Sequence, residues 1–111
     1  MLKPIISSDS HICEPPNCYI DNIESRYFSR APRMVNDEKR GDVFVLEGSK
    51  HPVPLSLISA AGKRSEDLSA KGARFQKLHR GGWDPSARLE DQKKDGVAAE
   101  VLYPSVGMEL C

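Results

Sequence analysis

A helix followed directly by a strand lies near the C-terminal end and constrains the fold more than any other feature. Asp84 can cap the start of the helix, a proline stands at the next position, and Gly96 is a typical C-terminal stop. The sequence therefore predicts a helix over Pro85–Asp95. The β-prone run after this glycine predicts a strand over Val97–Tyr103, closed by Pro104.

A second β-prone run opens the chain, where LKPIISS precedes the polar triplet DSH. We predict a short buried strand over Leu2–Ser8, with Asp9 and His11 at its end. Two consecutive prolines follow soon afterwards. Because proline lacks a backbone N–H, neither a helix nor the hydrogen bonds of a strand can continue through them. Strand, excursion, helix and strand is the order expected of two parallel strands joined by a right-handed crossover. The fold class predicted is therefore α/β.

The excursion between the two strands contains weaker signals. Tyr19–Tyr27 has apolar residues at roughly helical spacing and predicts one or two helical turns, with Asn17 as a candidate cap. Asp42–Leu46 and His51–Leu55 are β-prone and flank a glycine-containing turn, which predicts a β-hairpin outside the main sheet. Residues 59–82 are rich in glycine and charge, so we expect a loop with some helix, either lid-like or simply a surface loop.

Composition narrows the class of protein. Hydrophobic residues make up 39% of the 111 residues and charged residues 29%, as in ordinary globular proteins. Sixteen basic residues balance sixteen acidic ones, so no net field attracts nucleic acid or an anionic membrane. The apolar stretches are only a few residues long and the N-terminus lacks a signal-peptide core. We therefore expect a cytoplasmic protein that binds neither nucleic acid nor a membrane.

The chain contains three cysteines, Cys13, Cys18 and Cys111. An odd number without a secretion signal favours free thiols. The alternative is that Cys13 and Cys18 join His11 in a structural zinc site, but the spacing is not the usual two-residue gap and no second cysteine pair follows.

The triplet DSH carries the main chemical signal. Side chains at positions i and i+2 of a strand share a face, so Asp9 and His11 should project together while Ser10 points away. A carboxylate oxygen and an imidazole nitrogen both bind divalent cations, and the sequence therefore predicts a pair of metal ligands. The alternative is that Asp9 caps a turn and His11 is an ordinary polar residue at a strand end.

The blocks IISSDSHICEPPN and GGWDPSARLEDQKKDGVAAEVLYPS, in this order, resemble the amidohydrolase-related family that includes the aminocarboxymuconate-semialdehyde decarboxylase-like enzymes. The resemblance spans nearly the whole chain, although residues 50–77 match only loosely. It implies a distorted (β/α)₈ barrel, TIM-like, whose first strand ends in a metal-binding acid-x-His or His-x-His pair. Asp9 and His11 occupy that motif.

A complete barrel of this kind needs about 250 residues, so the resemblance implies that the chain is the N-terminal part of one domain. We expect the first strand and metal motif in residues 1–12, an insertion containing the hairpin in 13–82, and the first barrel helix and second strand in 83–111. The family's other ligands and catalytic residues would lie downstream. We therefore expect these 111 residues alone to be inactive and to bind metal weakly.

The resemblance also bears on the metal. Many relatives carry histidine at the first ligand position, where this chain has Asp9. Oxygen ligation accommodates manganese or magnesium as well as zinc, and zinc is the ion we expect first.

Further residues are candidates for supporting roles. Glu14 lies three positions after His11 and is either an outer carboxylate that orients this ligand or a plain loop residue. Tyr103 either faces the substrate or is a buried aromatic at a strand end. Trp83 is expected to pack at the start of the helix. The remaining polar candidates are expected to be solvated loop residues, and they are His51, His79, Lys63, Arg64, Lys71 and Arg74.

The function expected is a metal-dependent hydrolase or a non-oxidative decarboxylase acting on a small carboxylated or amide-containing substrate. Homo-oligomerisation is left open. The competing hypothesis is a small non-catalytic α+β binding or interaction module, in which Asp9 and His11 merely close a strand. Reading the coding DNA beyond Cys111 discriminates the two.

Overall fold

The computed structural model describes residues 3–110, which form two sheets, two α-helices and several 3₁₀ turns. In chain order, the strands and α-helices are β1 (Ile5–Ile12), α1 (Cys18–Asn22), β2 (Arg33–Asp37), β3 (Gly41–Val45), β4 (Val53–Pro54), α2 (Pro85–Asp95) and β5 (Val97–Pro104).

Strands β1 and β5 pair in parallel, as predicted, with Ser10 opposite Leu102 and His11 opposite Tyr103. Helix α2 connects into β5 through Gly96, which adopts a left-handed conformation with φ of 70°. Both α2 bounds agree with the prediction, because its caps are local: two backbone N–H groups of the first turn donate to the Asp84 side chain.

The prediction of a short buried first strand was wrong in burial and in extent. Ile5 and Ile6 are consecutive strand residues that point to opposite faces, yet they are 57% and 65% exposed, so neither face of the two-stranded sheet is covered at this end. Strand β1 also continues to Ile12, so Asp9 and His11 lie within it instead of following it. Leu2, where we predicted the strand to begin, lies outside the described residues.

A second sheet of three antiparallel strands, in the order β2-β3-β4, forms within the excursion. The predicted hairpin is confirmed in β3 and β4, although its second arm has only the two residues Val53–Pro54. The partner with the longer register is β2, which the sequence analysis missed because RMVND is polar and short. Its pairing with β3 depends on a turn that ends at Gly41.

The other elements of the excursion are short. Helix α1 ends at Asn22, and a 3₁₀ helix over Ser25–Arg30 replaces the rest of the predicted helix. Asn17 does occupy the N-cap position, but its side chain makes no capping hydrogen bond. Residues 59–82 form a loop with three short 3₁₀ turns, which agrees with the predicted loop containing some helix.

The core joins the two sheets. Phe44 contributes from β3, Leu46 from the position just after β3, and Val106 from the turn after β5. Tyr19 packs against this cluster, with its ring perpendicular to that of Phe44 at a centroid distance of 6.4 Å. The turns that leave β1 and β5 are therefore held against the antiparallel sheet.

Within residues 3–110, no helix has the length and apolar character needed to span a bilayer. Both α-helices are short, at five and eleven residues.

Candidate metal-binding site on the first strand

Asp9 and His11 lie close together on the face of β1 that is turned away from α2. The alternation of the strand produces this separation, because the intervening Ser10 and the following Ile12 point to the other face. Oδ1 of Asp9 is 3.1 Å from Nε2 of His11, and both side chains are well exposed to solvent. The predicted convergence of these two groups is therefore observed.

Tyr103 belongs to the same surface. It lies opposite His11 in the parallel register, and the two rings are 6.0 Å apart between centroids. Tyr103 is 43% exposed and lines an open depression together with Asp9, His11 and Met108. Of the two alternatives for this tyrosine, the structure favours a side chain that faces solvent near the pair over a buried aromatic.

The donor set suits a divalent cation. Two ligands that each bind at about 2.1 Å are separated by about 3.0 Å when the angle between them is a right angle and by about 3.4 Å in a tetrahedral site. The separation of 3.1 Å between Asp9 and His11 is that of a hydrogen bond between the two side chains, and it also falls between these values. One carboxylate oxygen and one imidazole nitrogen are accepted by zinc and manganese alike.

No group of three or more histidine, cysteine, aspartate or glutamate side chains is arranged to hold a metal ion within the part of the chain that the structure describes. Asp9 and His11 thus form a two-donor pair. The alternative zinc site fails on geometry, since the thiol of Cys13 is buried and donates a hydrogen bond to the carbonyl of Ile58, 2.8 Å away. Cys13 and Cys18 are free thiols, as expected, and Cys111 lies outside the described residues.

Burial and a neighbouring carboxylate keep these thiols protonated. The pKa of Cys13 rises to about 11, mainly through desolvation and secondarily through the charge of Glu14. The pKa of Cys18 is raised by the same two causes in the same order. Neither thiol has the lowered pKa of a reactive or metal-binding cysteine.

Glu14 is only 3% exposed. None of its described hydrogen bonds is to Asp9 or His11. Its Oε1 accepts three hydrogen bonds, from the Tyr19 hydroxyl at 3.1 Å and from the backbone N–H groups of Val106 at 2.8 Å and Gly107 at 2.9 Å. Oε2 is buried and has no donor among the described residues. Glu14 therefore neither contacts His11 through these bonds nor lies exposed on a loop. It is buried and connects the segments that follow β1 and β5.

A charged network lies behind the Asp9–His11 pair, on the α2 side of the strands. Arg88 donates two hydrogen bonds to Glu100, from Nε at 2.9 Å and from Nη2 at 2.5 Å. Nη1 of Arg88 donates to the carbonyl of His11 at 3.1 Å. The sequence pattern did not predict this network, although Glu100 is a single charged residue within the otherwise apolar β5 run.

Burial raises the pKa of Glu100, and hydrogen bonds from Arg88 and Gln92 lower it by more, so the net direction is downward. The Gln92 amide donates to Oε1 of Glu100 at 2.6 Å. Glu100 is thus held as a carboxylate under the strands, where an uncompensated charge would be costly.

The other candidates lie elsewhere. His79 was expected to be a solvated histidine, but its Nε2 is 2.5 Å from Oδ2 of Asp91 on α2. Trp83 contacts Phe75, with ring centroids 5.2 Å apart, which agrees with a packing role. His51 is exposed on a loop.

None of the four basic candidates in the 59–82 loop lines the depression around Asp9 and His11. Lys63, Lys71 and Arg74 line a separate pocket that shares no residue with the depression around Asp9. Arg64 is exposed and pairs with Asp67.

No protein-family model matches this sequence, and comparison with curated proteins finds no significant match.

Proposed function

We propose that this chain forms the first strand, the metal-binding pair and the first crossover of an amidohydrolase-type (β/α) barrel. The enzyme would be a metal-dependent hydrolase or a non-oxidative decarboxylase that acts on a small carboxylated or amide-containing molecule. The observation that carries the proposal is the separation of 3.1 Å between Oδ1 of Asp9 and Nε2 of His11 on one exposed strand face.

The exposed sheet surface around Asp9 and His11 supports the same proposal. A parallel sheet is normally covered on both faces, and a two-stranded sheet is seldom stable by itself. Here α2 contacts β5, and apolar side chains on both faces of β5 remain exposed, with Val101 at 46%, Leu102 at 47% and Tyr103 at 43%. Further strands of a barrel would pair with the free edges, and their side chains would fill the uncovered face around Asp9 and His11.

A bound divalent ion would polarise a substrate oxygen and activate water in a hydrolase, or stabilise the charge left by departing carbon dioxide in a decarboxylase. The residues of this chain prepare that site. Nε2 of His11 would supply a neutral nitrogen ligand to the cation. Asp9 supplies a negative charge beside it, and the Tyr103 hydroxyl would donate a hydrogen bond to a substrate oxygen.

The test is a titration of the ¹⁵N-labelled 111-residue chain with Mn²⁺, read by paramagnetic broadening. We expect weak binding, because two protein ligands hold a divalent ion poorly. The broadening should be centred on residues 8–12 and on Tyr103. Asp9→Ala and His11→Ala should each remove it, whereas Asp21→Ala and His51→Ala, which delete an exposed carboxylate and an exposed imidazole, should leave it unchanged.

Broadening that is centred elsewhere, or that persists in both the Asp9→Ala and the His11→Ala variant, would contradict the proposal. It would favour the competing hypothesis of a non-catalytic α+β module. Metal analysis of the natural protein with the same substitutions extends the test, since loss of both metal and activity is expected there.

A further inference from the structure

Arg88 donates a hydrogen bond to the backbone of β1 from the face opposite the proposed metal ligands. Arg88 projects from α2, and only 18% of its side chain is exposed. Nη1 donates to the carbonyl of His11 at 3.1 Å and to the carbonyl of Gly81 at 3.2 Å. One guanidinium therefore joins the helix, the strand β1 and the turn that precedes α2.

Glu100 fixes the orientation of this guanidinium. The carboxylate is 9% exposed and accepts from Nε and Nη2 of Arg88, while Gln92 donates to its other oxygen at 2.6 Å. A partly buried ion pair is favourable only when its hydrogen-bonding capacity is filled, and these contacts fill it. Nη1 of Arg88 is thereby directed at the carbonyls of His11 in β1 and of Gly81 in the turn before α2.

We propose that Arg88, oriented by Glu100, is a positioning residue that sets the direction of the His11 imidazole. This inference rests on the proposed function, because it concerns the same metal-binding pair. The peptide plane that contains the His11 carbonyl, together with the ψ angle that the strand gives this residue, determines where its Cα–Cβ bond points. Holding that carbonyl from the α2 side directs the imidazole toward Asp9 and Tyr103 on the other side.

The shape of arginine is needed for this role. Its planar fork can serve one carboxylate and two carbonyls at the same time, whereas a lysine ammonium is a single centre on a flexible stem. The substitution Arg88→Lys keeps the positive charge beside Glu100 but cannot reach the His11 carbonyl in the same geometry. It therefore separates positioning from charge.

The experiment measures Mn²⁺ affinity by paramagnetic broadening in the wild-type chain, in R88K and in the double variant R88M/E100Q, which leaves no unpaired buried charge. Loss of an outer partner of a metal ligand typically weakens affinity by about 10- to 100-fold, and we expect this range for both variants. The matched control is R74K, since Arg74 also pairs with a half-buried carboxylate, that of Asp42 at 3.2 Å, but far from β1. It should change affinity by less than about threefold.

A second readout needs no metal. The intensity of the nuclear Overhauser cross-peak between the His11 and Tyr103 rings should decrease in R88K and in R88M/E100Q. The amide spectra should show that both variants remain folded. Retention of this contact and of wild-type Mn²⁺ affinity in either folded variant overturns the inference. If the wild-type chain fails to bind Mn²⁺ at residues 8–12, the proposed function fails, and the ring contact alone then decides whether Arg88 positions His11.

Discussion

The backbone N–H of Val106 donates to Oε1 of Glu14 over 2.8 Å, across a sequence separation of 92 residues. The neighbouring N–H of Gly107 and the Tyr19 hydroxyl donate to the same oxygen. One buried carboxylate thus satisfies three donors at the ends of β1 and β5. Because this oxygen accepts hydrogen bonds from the segment after β1 and from the segment after β5, it couples the two segments energetically.

Replacing Glu14 should reveal this coupling in stability. Glu14→Ala removes the shared acceptor and leaves a cavity, and we expect it to lower the free energy of unfolding by about 3 kcal/mol. Glu14→Gln keeps a carbonyl oxygen at the acceptor position and should cost about 1 kcal/mol. Urea denaturation measures both. The exposed Glu38→Ala is the control, with a change within about 0.5 kcal/mol, and equal losses in Glu14→Ala and Glu38→Ala would refute the bridge.

The thiol of Cys13 should react slowly in the folded protein. With a pKa of about 11 in place of 9.0, its thiolate fraction at pH 8 falls about 100-fold. Higher nucleophilicity recovers about tenfold of this, so the net slowing should be at least about tenfold. Alkylation by iodoacetamide of a C18S/C111S variant, compared with and without urea, measures it. Equal rates in the two states would show that Cys13 is not buried as described.

Two glycines with positive φ should respond differently to alanine. At Gly41, with φ of 88°, an added Cβ would lie 2.5 Å from the backbone oxygen of Ala73, so strain and a clash combine. We expect Gly41→Ala to cost about 3 kcal/mol. At Gly96, with φ of 70°, a Cβ would meet open space and only the conformational strain of about 1 kcal/mol applies. Denaturation midpoints of the two variants measure the difference, and similar losses would contradict the close approach at Gly41.

The cap of α2 should contribute a pH-dependent stability. The pKa of Asp84 is lowered, first by the hydrogen bond from Arg80 and then by the backbone N–H of Ala87. Because the folded pKa lies below the unfolded value of about 3.9, the contribution is complete above that value and is lost as pH falls through the folded pKa.

Asp84→Asn tests this sign. Asparagine can still cap the helix but has no charge to lose. The melting temperature of the wild type should therefore exceed that of Asp84→Asn at pH 7, and the gap should narrow as the pH falls below about 4, the unfolded value. The control Asp21→Asn, at an exposed site, should show no such convergence. A gap that stays constant down to pH 2 would mean that the Asp84 charge does not stabilise the cap.

Sequence reasoning succeeded where the decisive forces are local. Helix α2 was predicted to the residue because Asp84 and Gly96 act on backbone groups within one turn of themselves. The shared face of Asp9 and His11 follows from strand alternation alone, and the distance of 3.1 Å between their donor atoms agrees with it. The two cysteines that are described remain free, as their number and spacing indicated.

Only the tertiary structure decided the rest. Three features depend on which segments meet in space. They are the burial of Glu14, the pairing of β2 with β3, and the hydrogen bond from Arg88 to the His11 carbonyl. Arg88 and His11 are 77 positions apart, and no periodicity or propensity links them. Local backbone chemistry determines helices, caps and strand faces, whereas long-range contacts are selected by packing and by the need to pair buried polar groups.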